Sequence, residues 1–320
     1  MTSKLIHVAA AAIEDSQGRI LIAKRHDQAH QGGLWEFPGG KLEPGETVVQ
    51  ALERELQEEL DITPIRPEPL IRIVHHYDDC SVLLDVYRVT EIVGIPKGME
   101  DQPLDWLHPE QMQAEKFPAA DRPILTALRL PDRYLITGDD PFLPDQFIRR
   151  LEHSLSGGLR LVQLRAHQLP DADYRRLAED ARALCRRYGA RLLLNRPQHP
   201  ERWVGLSDGI HLTRHQLMSR NCRPEGPAWV GASCHDPVEL QQAERLGLDY
   251  ALLSPVQSTL SHPEAEPLGW ERFTRWVNEV NLPVYALGGL RMETLSLAKQ
   301  RGAQGIAGIS GFWLDQMPNP

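Results

Sequence analysis

Three glutamates in the run Arg54-Glu55-Leu56-Gln57-Glu58-Glu59 carry the most pointed chemistry in this 320-residue chain. Glu55, Glu58 and Glu59 stand at i, i+3 and i+4, which on a helix places them within an arc of about 100°. Carboxylates crowded in that way repel one another unless a hard cation lies between them. Mg²⁺ suits such a set, because it takes oxygen ligands and shares its shell with substrate phosphates; Mn²⁺ is the alternative. An acidic helix face can equally be a solvated one, and the neighbouring residues decide between the two. Arg54 is expected to point away from the cation and to orient a neighbouring glutamate through a charge-assisted hydrogen bond.

A helix has to present these carboxylates. Thr47 and Gln50 have the spacing of a capping box that would start it. Val49, Leu52, Leu56 and Leu60 recur at three, four and four residues and give it an apolar stripe. Asp61 follows, a residue that tolerates the left-handed backbone of a helix end. Ahead of the helix lies Gly39-Gly40-Lys41, where glycine lets a backbone carbonyl approach a cation and Lys41 can meet a phosphate as a point charge. Ile6 to Ile13, a Ser-Gln-Gly turn and Ile20 to Lys24 read as a hairpin. Leu70 to His76 and Ser81 to Val89 alternate like strands across a Tyr-Asp-Asp turn, and a helix is expected over about Asp121 to Leu128.

Gly40, five residues, Glu46, seven residues, then Arg54-Glu55-Leu56-Gln57-Glu58-Glu59 and Ile62 resembles the Nudix box, with Asp61 where that family has glycine. The runs Phe37-Pro38-Gly39-Gly40-Lys41, Glu100 to Pro103 and Phe117 to Ala120 fall in the order of the MutT-type Nudix hydrolases, which remove oxidised guanine nucleotides from the precursor pool. The resemblance covers residues 4 to 130, approximately, and implies an α/β/α sandwich with a mixed sheet. It implies metal ligation by Glu55, Glu58, Glu59, Glu100 and the Gly39 carbonyl, with Glu55 or Glu100 as the base on the attacking water. It also implies nucleotide contacts from Arg25, His30, Glu36, Phe37, Pro38, Lys41 and Asp121. The reaction implied is 8-oxo-dGTP to 8-oxo-dGMP and pyrophosphate. Asp121 stands where the family has an asparagine that reads the oxidised base, and an ionised Asp accepts but does not donate.

At 320 residues there is room for two cores. Hydrophobic residues at 41% and charged residues at 25% are ordinary for a globular chain, and a net charge of −9 argues against duplex nucleic acid as a partner. Four cysteines without a CxxC pair give no zinc site. The apolar run near the N-terminus is too short to span a membrane, and a cytoplasmic location is expected.

A boundary at Leu130-Pro131-Asp132 divides residues 1–131 from residues 132–320. Beyond it, short apolar strands alternate with helical segments: Tyr134–Thr137, Leu159–Arg165, Arg191–Asn195, Gly209–Leu212, Trp229–Cys234, Tyr250–Ser254, Pro283–Leu287 and Gly305–Ser310. Eight such strands predict a (β/α)₈ TIM barrel. Val162-Gln163-Leu164-Arg165, Asp208 to His211, Gly231-Ala232-Ser233, Leu287-Gly288-Gly289 and Gly308 to Gly311 resemble thiamine phosphate synthases and their TenI relatives. That resemblance implies a phosphate ligand held by Gln163, Arg165, Asn195, Ser233, Gly288, Gly289 and Ser310. The family's Asn-Asp pair for Mg²⁺ reads Asn195-Arg196 here, its second acidic ligand reads His215 or Gln216, and its loop lysine reads His262. The tautomerase histidine of TenI reads Pro255. The expectation is therefore a phosphate-ligand module or an altered enzyme. As alternatives, the Nudix half hydrolyses thiamine diphosphate or its analogues, or the barrel senses a thiamine phosphate.

Overall fold

The computed structural model describes residues 5–28, 31–138, 144–196, 200–203, 205–259, 264, 266–309 and 311–313. His30, His262 and Ser310, all marked by the sequence, lie outside the described residues. The chain divides into two compact units, Met1–Arg129 and Leu130–Pro320. Among the described residues no helix is long and apolar enough to cross a membrane.

The first unit is built on β1 (Leu5–Ile13), a strand whose second half is alanine-rich and buried on both faces. Ala9, Ala11 and Ile13 pack with the apolar side of α1 (Val48–Leu60), whereas Ala10 and Ala12 pack with α2 (Arg122–Arg129). Small side chains on both faces let a helix approach from each side, which gives the α/β/α layering. Its partners are β4 (Gly39–Lys41), β7 (Ser81–Val89) and β6 (Glu68–His76), in the order β4-β1-β7-β6. β1 and β7 run parallel and the other pairs antiparallel, so the sheet is mixed.

The expected hairpin does not form as a paired ladder. The turn is present, with one bridge from Glu14 to Ile20, but β2 (Ile20–Lys24) leaves to pair with β3 (Trp35–Glu36) and β9 (Leu104–Leu107). Both edges of β1 over Val8–Ala10 are already taken by β4 and β7, which leaves β2 no free edge there. A two-stranded pair, β5 (Thr63–Ile65) with β8 (Glu91–Val93), completes the unit.

The second unit is a closed, all-parallel barrel. Its strands are β10 (Arg133–Ile136), β11 (Leu161–Leu164), β12 (Arg191–Leu194), β13 (Gly209–Leu212), β14 (Trp229–Cys234), β15 (Tyr250–Leu253), β16 (Val284–Leu287) and β17 (Gly305–Gly308). The helices are α3 (Pro144–Ser156), α4 (Asp171–Arg187), α5 (Arg214–Met218), α6 (Pro237–Arg245), α7 (Gly269–Val277) and α8 (Leu295–Gln300). One core lies between strands and helices, and a separate one fills the barrel with Tyr134, Leu161, Leu193, Tyr250, Leu252 and Tyr285. The tyrosines need space: a Cβ at Gly231 would sit 2.0 Å from the Tyr250 ring that pairs with it across the strands.

Candidate active site

The carboxylate helix α1 is fixed at both ends by its own sequence. The Thr47 side chain accepts from Gln50 N–H at 3.3 Å and Gln50 Oε1 accepts from Thr47 N–H at 2.9 Å, closing the capping box. Asp61 ends the helix in the left-handed region, at φ 56° and ψ 42°. Leu52, Leu56 and Leu60 are buried as expected, with Ala51; of the two half-buried valines it is Val48, not Val49, that packs on this cluster. That orientation brings Glu55 and Glu59 over β4.

Two glycines of β4 receive them. Gly39 N–H donates to Glu59 Oε2 at 3.1 Å. A Cβ at Gly39, where φ is 144°, would lie 2.1 Å from Ala9 O. A Cβ at Gly40 would lie 2.2 to 2.4 Å from the carboxylate atoms of Glu55, so the bare backbone there is the seat of that side chain. The loop carrying Glu100 docks on the C-terminal carbonyls of α1, with Lys97 N–H on Leu60 O at 3.0 Å and Met99 N–H on Glu59 O at 2.9 Å. Gln102 Nε2 adds a bond to Glu59 O at 3.1 Å. These contacts bring Glu100 into electrostatic range of Glu36 and Glu59. Burial, then repulsion from Glu36, Glu55 and Glu100, pushes the Glu59 carboxyl up to about 8 against the pull of the Gly39 N–H.

Arg54 makes the charge-assisted bonds expected of it, and to more than one glutamate. Nη1 reaches Glu55 Oε1 at 2.9 Å and Glu58 Oε2 at 3.2 Å, while Nε and Nη2 fork onto Glu46 at 2.9 and 3.0 Å. Nη2 also donates to Lys41 O at 3.0 Å. The Arg54 bonds, with the Glu43 N–H, hold Glu46 down at about 2. A guanidinium has five donors in one plane, enough to tie the box's first glutamate to two on the helix at once. Glu58 and Lys41 are exposed.

Among the described residues no three carboxylates or imidazoles converge on one point as they stand. The donor set nevertheless fits a hard divalent ion. It consists of oxygens, and half-buried Glu59 is driven toward protonation by burial and then by the negative charge around it, which a cation would offset.

Beside this acidic face lies a more enclosed group. Arg25 Nη1 donates to Glu36 Oε2. Burial raises Glu36, with Arg25 opposing and Glu100 adding to the rise. Asp121, only 6% exposed, is pushed up to about 7 by burial and then by Glu36, with Arg25 again opposing. The Tyr77 hydroxyl accepts from Ala120 N–H at 3.4 Å and lies within the field of Asp121 and Arg25. Phe37 is buried, its ring stacked on Phe117 at 5.8 Å, and Pro38 O accepts from Ala11 N–H at 2.8 Å. Both residues therefore support the wall from within the core. Sequence reasoning read Tyr77 only as part of a turn and Glu46 only as part of a motif. Tyr77 joins the group because the β6–β7 turn lies beside the segment leading into α2, a long-range proximity that no local spacing signals.

In the barrel, the marked residues divide into two sets. Gln163 and Asn195 are 3% and 4% exposed, and their polar atoms serve the protein itself. Gln163 Nε2 donates to Tyr134 OH at 3.0 Å. Asn195 Nδ2 donates to His211 O at 2.8 Å, and its Oδ1 meets His167 Nε2 at 2.8 Å. Arg165 and Ser233 are half-buried at the strand ends. Gly288 and Gly289 have φ of 107° and 68°, and added Cβ atoms would meet Pro255 at 2.8 Å and Ser258 O at 2.6 Å. Close packing on residues 255–258 thus accounts for both glycines.

The Mg²⁺ positions of the resembled family are filled differently. Arg196 donates to Ala166 O and His167 O at 3.1 Å, to Leu169 O at 2.7 Å and to Asp171 Oδ1 at 2.9 Å. Gln216 Nε2 donates to Arg196 O at 2.9 Å, and His215 is exposed on α5. A guanidinium and a neutral amide, both already bonded to backbone, do not fit a divalent cation, and no chemistry here is routed through one.

Comparison with known proteins agrees with this division. The family model for thiamine monophosphate synthase matches residues 133–312, and that for the NUDIX domain matches residues 9–127. The putative thiamine-phosphate synthase 2 of Aquifex aeolicus is 39% identical over 190 residues, covering 58% of this chain and 99% of that protein. The 8-oxo-dGTP diphosphatase of Escherichia coli is 36% identical over 126 residues, covering 39% of this chain and 98% of that protein. The CTP pyrophosphohydrolase of the same organism is 40% identical over 124 residues, covering 39% and 91%.

Proposed function

The chain belongs to the Nudix family through its N-terminal part and to the thiamine monophosphate synthase family through its C-terminal part, and from that premise we propose a Mg²⁺-dependent nucleoside triphosphate pyrophosphohydrolase, residues 1–131, joined to a ligand-binding barrel, residues 132–320. The substrate is 8-oxo-dGTP, the products are 8-oxo-dGMP and pyrophosphate, and the role is sanitation of the nucleotide pool, and so avoidance of DNA damage, in the cytoplasm. The observation that carries this reading is the crowding of Glu55, Glu59, Glu36 and Glu100 around Gly39-Gly40, with Glu59 raised to about 8.

Glu55, Glu58, Glu59, Glu100 and the Gly39 carbonyl would hold the cation. When bound, a divalent ion supplies charge neutralisation at the diphosphate bridge. Glu55 or Glu100 takes the proton from the attacking water. Arg54 keeps Glu55 and Glu58 oriented through its bonds to both. Lys41 meets a phosphate, while Arg25, Glu36 and Asp121, together with His30, contact the nucleoside. With its carboxyl near 7, Asp121 holds its proton in a large share of molecules around neutral pH. In that state it donates as well as accepts, as an asparagine would, and can pair with both O6 and N7–H of the oxidised base.

A second reading is favoured by the 39% identity of the barrel half to a thiamine-phosphate synthase homologue. In it, the barrel takes a thiamine-related phosphate, through Arg165, Ser233, Gly288, Gly289 and Ser310, and the Nudix half hydrolyses thiamine diphosphate or an analogue. Product analysis separates the two readings. Turnover of 8-oxo-dGTP to monophosphate and pyrophosphate supports the first. Inertness toward 8-oxo-dGTP and CTP with turnover of thiamine diphosphate establishes the second.

A further inference from the structure

A chain of hydrogen bonds runs through the interior of the barrel from β11 to the end of β14. Gln163 Nε2 donates to Tyr134 OH at 3.0 Å, Tyr134 OH and Tyr250 OH are 2.8 Å apart, and Tyr250 OH is 3.0 Å from His211 Nδ1. His211 Nε2 is then 3.0 Å from Ser233 Oγ. Gln163 and His211 are buried, Tyr134 and Tyr250 completely so, and only Ser233 is half-exposed.

Counting protons gives the chain a direction. The Gln163 amide nitrogen can only donate, so it supplies no acceptor for a phenol proton. The two phenol oxygens share one proton between them. The second phenol proton has a single remaining acceptor, His211 Nδ1, which lies 3.0 Å from one phenol oxygen and 3.5 Å from the other. If Nδ1 carried a proton, a phenol O–H would be left buried without an acceptor, which a buried polar group strongly disfavours. His211 is therefore neutral with its hydrogen on Nε2, and burial, with Arg165 adding to it, holds its pKa down at about 3. The Nε2–H donates to Ser233 Oγ, so the serine's own hydrogen is turned toward the barrel mouth. Arg165, just past the end of β11, adds positive charge within electrostatic range of His211.

We propose that Gln163, Tyr134, Tyr250 and His211 form a one-way relay that presents Ser233 as a fixed hydrogen-bond donor to a phosphate oxygen of the barrel's ligand. The Ser–His contact looks like the start of a nucleophilic dyad, but Nε2 already holds its proton and cannot take one from Ser233. Ser233 is a binding residue, and Tyr250 and His211 are positioning residues. The inference rests on the proposal that the barrel takes a phosphate ligand.

The test uses the full chain with ¹⁵N-labelled histidine and inorganic phosphate as the probe. Long-range ¹H–¹⁵N spectra, with the His211 signal identified by its loss in H211Q, should show the Nε2–H tautomer. Removing both phenol hydroxyls, in the Tyr134→Phe/Tyr250→Phe double variant, should bring up an Nδ1–H population. A wild-type Nδ1–H or imidazolium form overturns the relay. In phosphate titrations Ser233→Ala should weaken binding about tenfold, while Ser233→Thr stays within about threefold of wild type because it keeps the hydroxyl. Equal affinity in wild type and Ser233→Ala overturns the assignment of Ser233. No phosphate binding by wild type overturns the ligand reading itself, with the tautomer result still deciding the relay.

Discussion

Replacing Gly40 by alanine should separate folding from catalysis in the N-terminal domain. The new Cβ would lie 2.2 Å from Glu55 Cδ and 2.3 and 2.4 Å from its two oxygens, whereas ordinary contact begins at 3.4 Å. The carboxylate must therefore retreat by 3.4 − 2.2 = 1.2 Å. Gly40 does not occupy the left-handed region, so alanine fits its backbone without strain. The clashing atoms are the far end of a flexible side chain, and moving them costs the fold little, less than about 1 kcal/mol. Catalysis is more exacting, because a misplacement of about 1 Å in a reacting group lowers the rate about 10²-fold, or about 2.7 kcal/mol. The assay is pyrophosphate release from 8-oxo-dGTP with saturating Mg²⁺, run beside a thermal melt. G40A should melt within about 4 °C of wild type while kcat/KM falls by roughly two orders of magnitude. Retention of activity within threefold would refute the argument that Gly40 seats Glu55.

Asp121→Asn tests the buried carboxyl. Its folded value near 7 lies above the ordinary 3.8, so the native state keeps the proton through that window. Stability falls as pH rises from about 4 to 7 and the penalty is complete above 7. D121N should therefore stabilise the fold at pH 8 by on the order of 2–4 kcal/mol, read as a raised melting temperature, and leave it unchanged at pH 4. Selectivity for 8-oxo-dGTP over dGTP should decline from pH 6 to pH 8 in wild type and stay level in D121N. Glu58→Gln removes a charge that Arg54 positions, and kcat should fall by two to four orders of magnitude, roughly; a near-normal rate would take Glu58 out of the metal site. Arg196→Ala removes the guanidinium hydrogen bonds to the carbonyls of Ala166, His167 and Leu169. At about 1 kcal/mol each, the barrel's melting temperature should drop by roughly 6–12 °C, and an unchanged melt would show water replacing the guanidinium at no cost.

The parts of this molecule that were legible in its sequence are those set by local chemistry. Thr47 and Gln50 announced the start of α1, Asp61 its left-handed end, and alternating apolar runs located the barrel strands to within a residue or two. The parts that were not legible depend on which edges and surfaces remain free. β2 looked like the partner of β1 because a turn joins them, yet β4 and β7 had already occupied the edges it would need. Spacing assigns Arg54 to orienting a neighbouring glutamate, but it does not show that Glu46 and Lys41 O lie across from α1 and that one guanidinium joins them to Glu55 and Glu58. Gln163 and Asn195 looked like ligand contacts because they sit at strand ends. Their polar atoms are used by Tyr134, His167 and His211, residues far away in the chain that the barrel's closure brings next to them.

The measurement closest to the central claim is the ratio of kcat/KM for 8-oxo-dGTP, dGTP and thiamine diphosphate with Mg²⁺, scored by the identity of both products. The account predicts a large preference for 8-oxo-dGTP, with 8-oxo-dGMP and pyrophosphate formed in equal amounts. Preference for thiamine diphosphate, or release of orthophosphate from 8-oxo-dGTP, would contradict it.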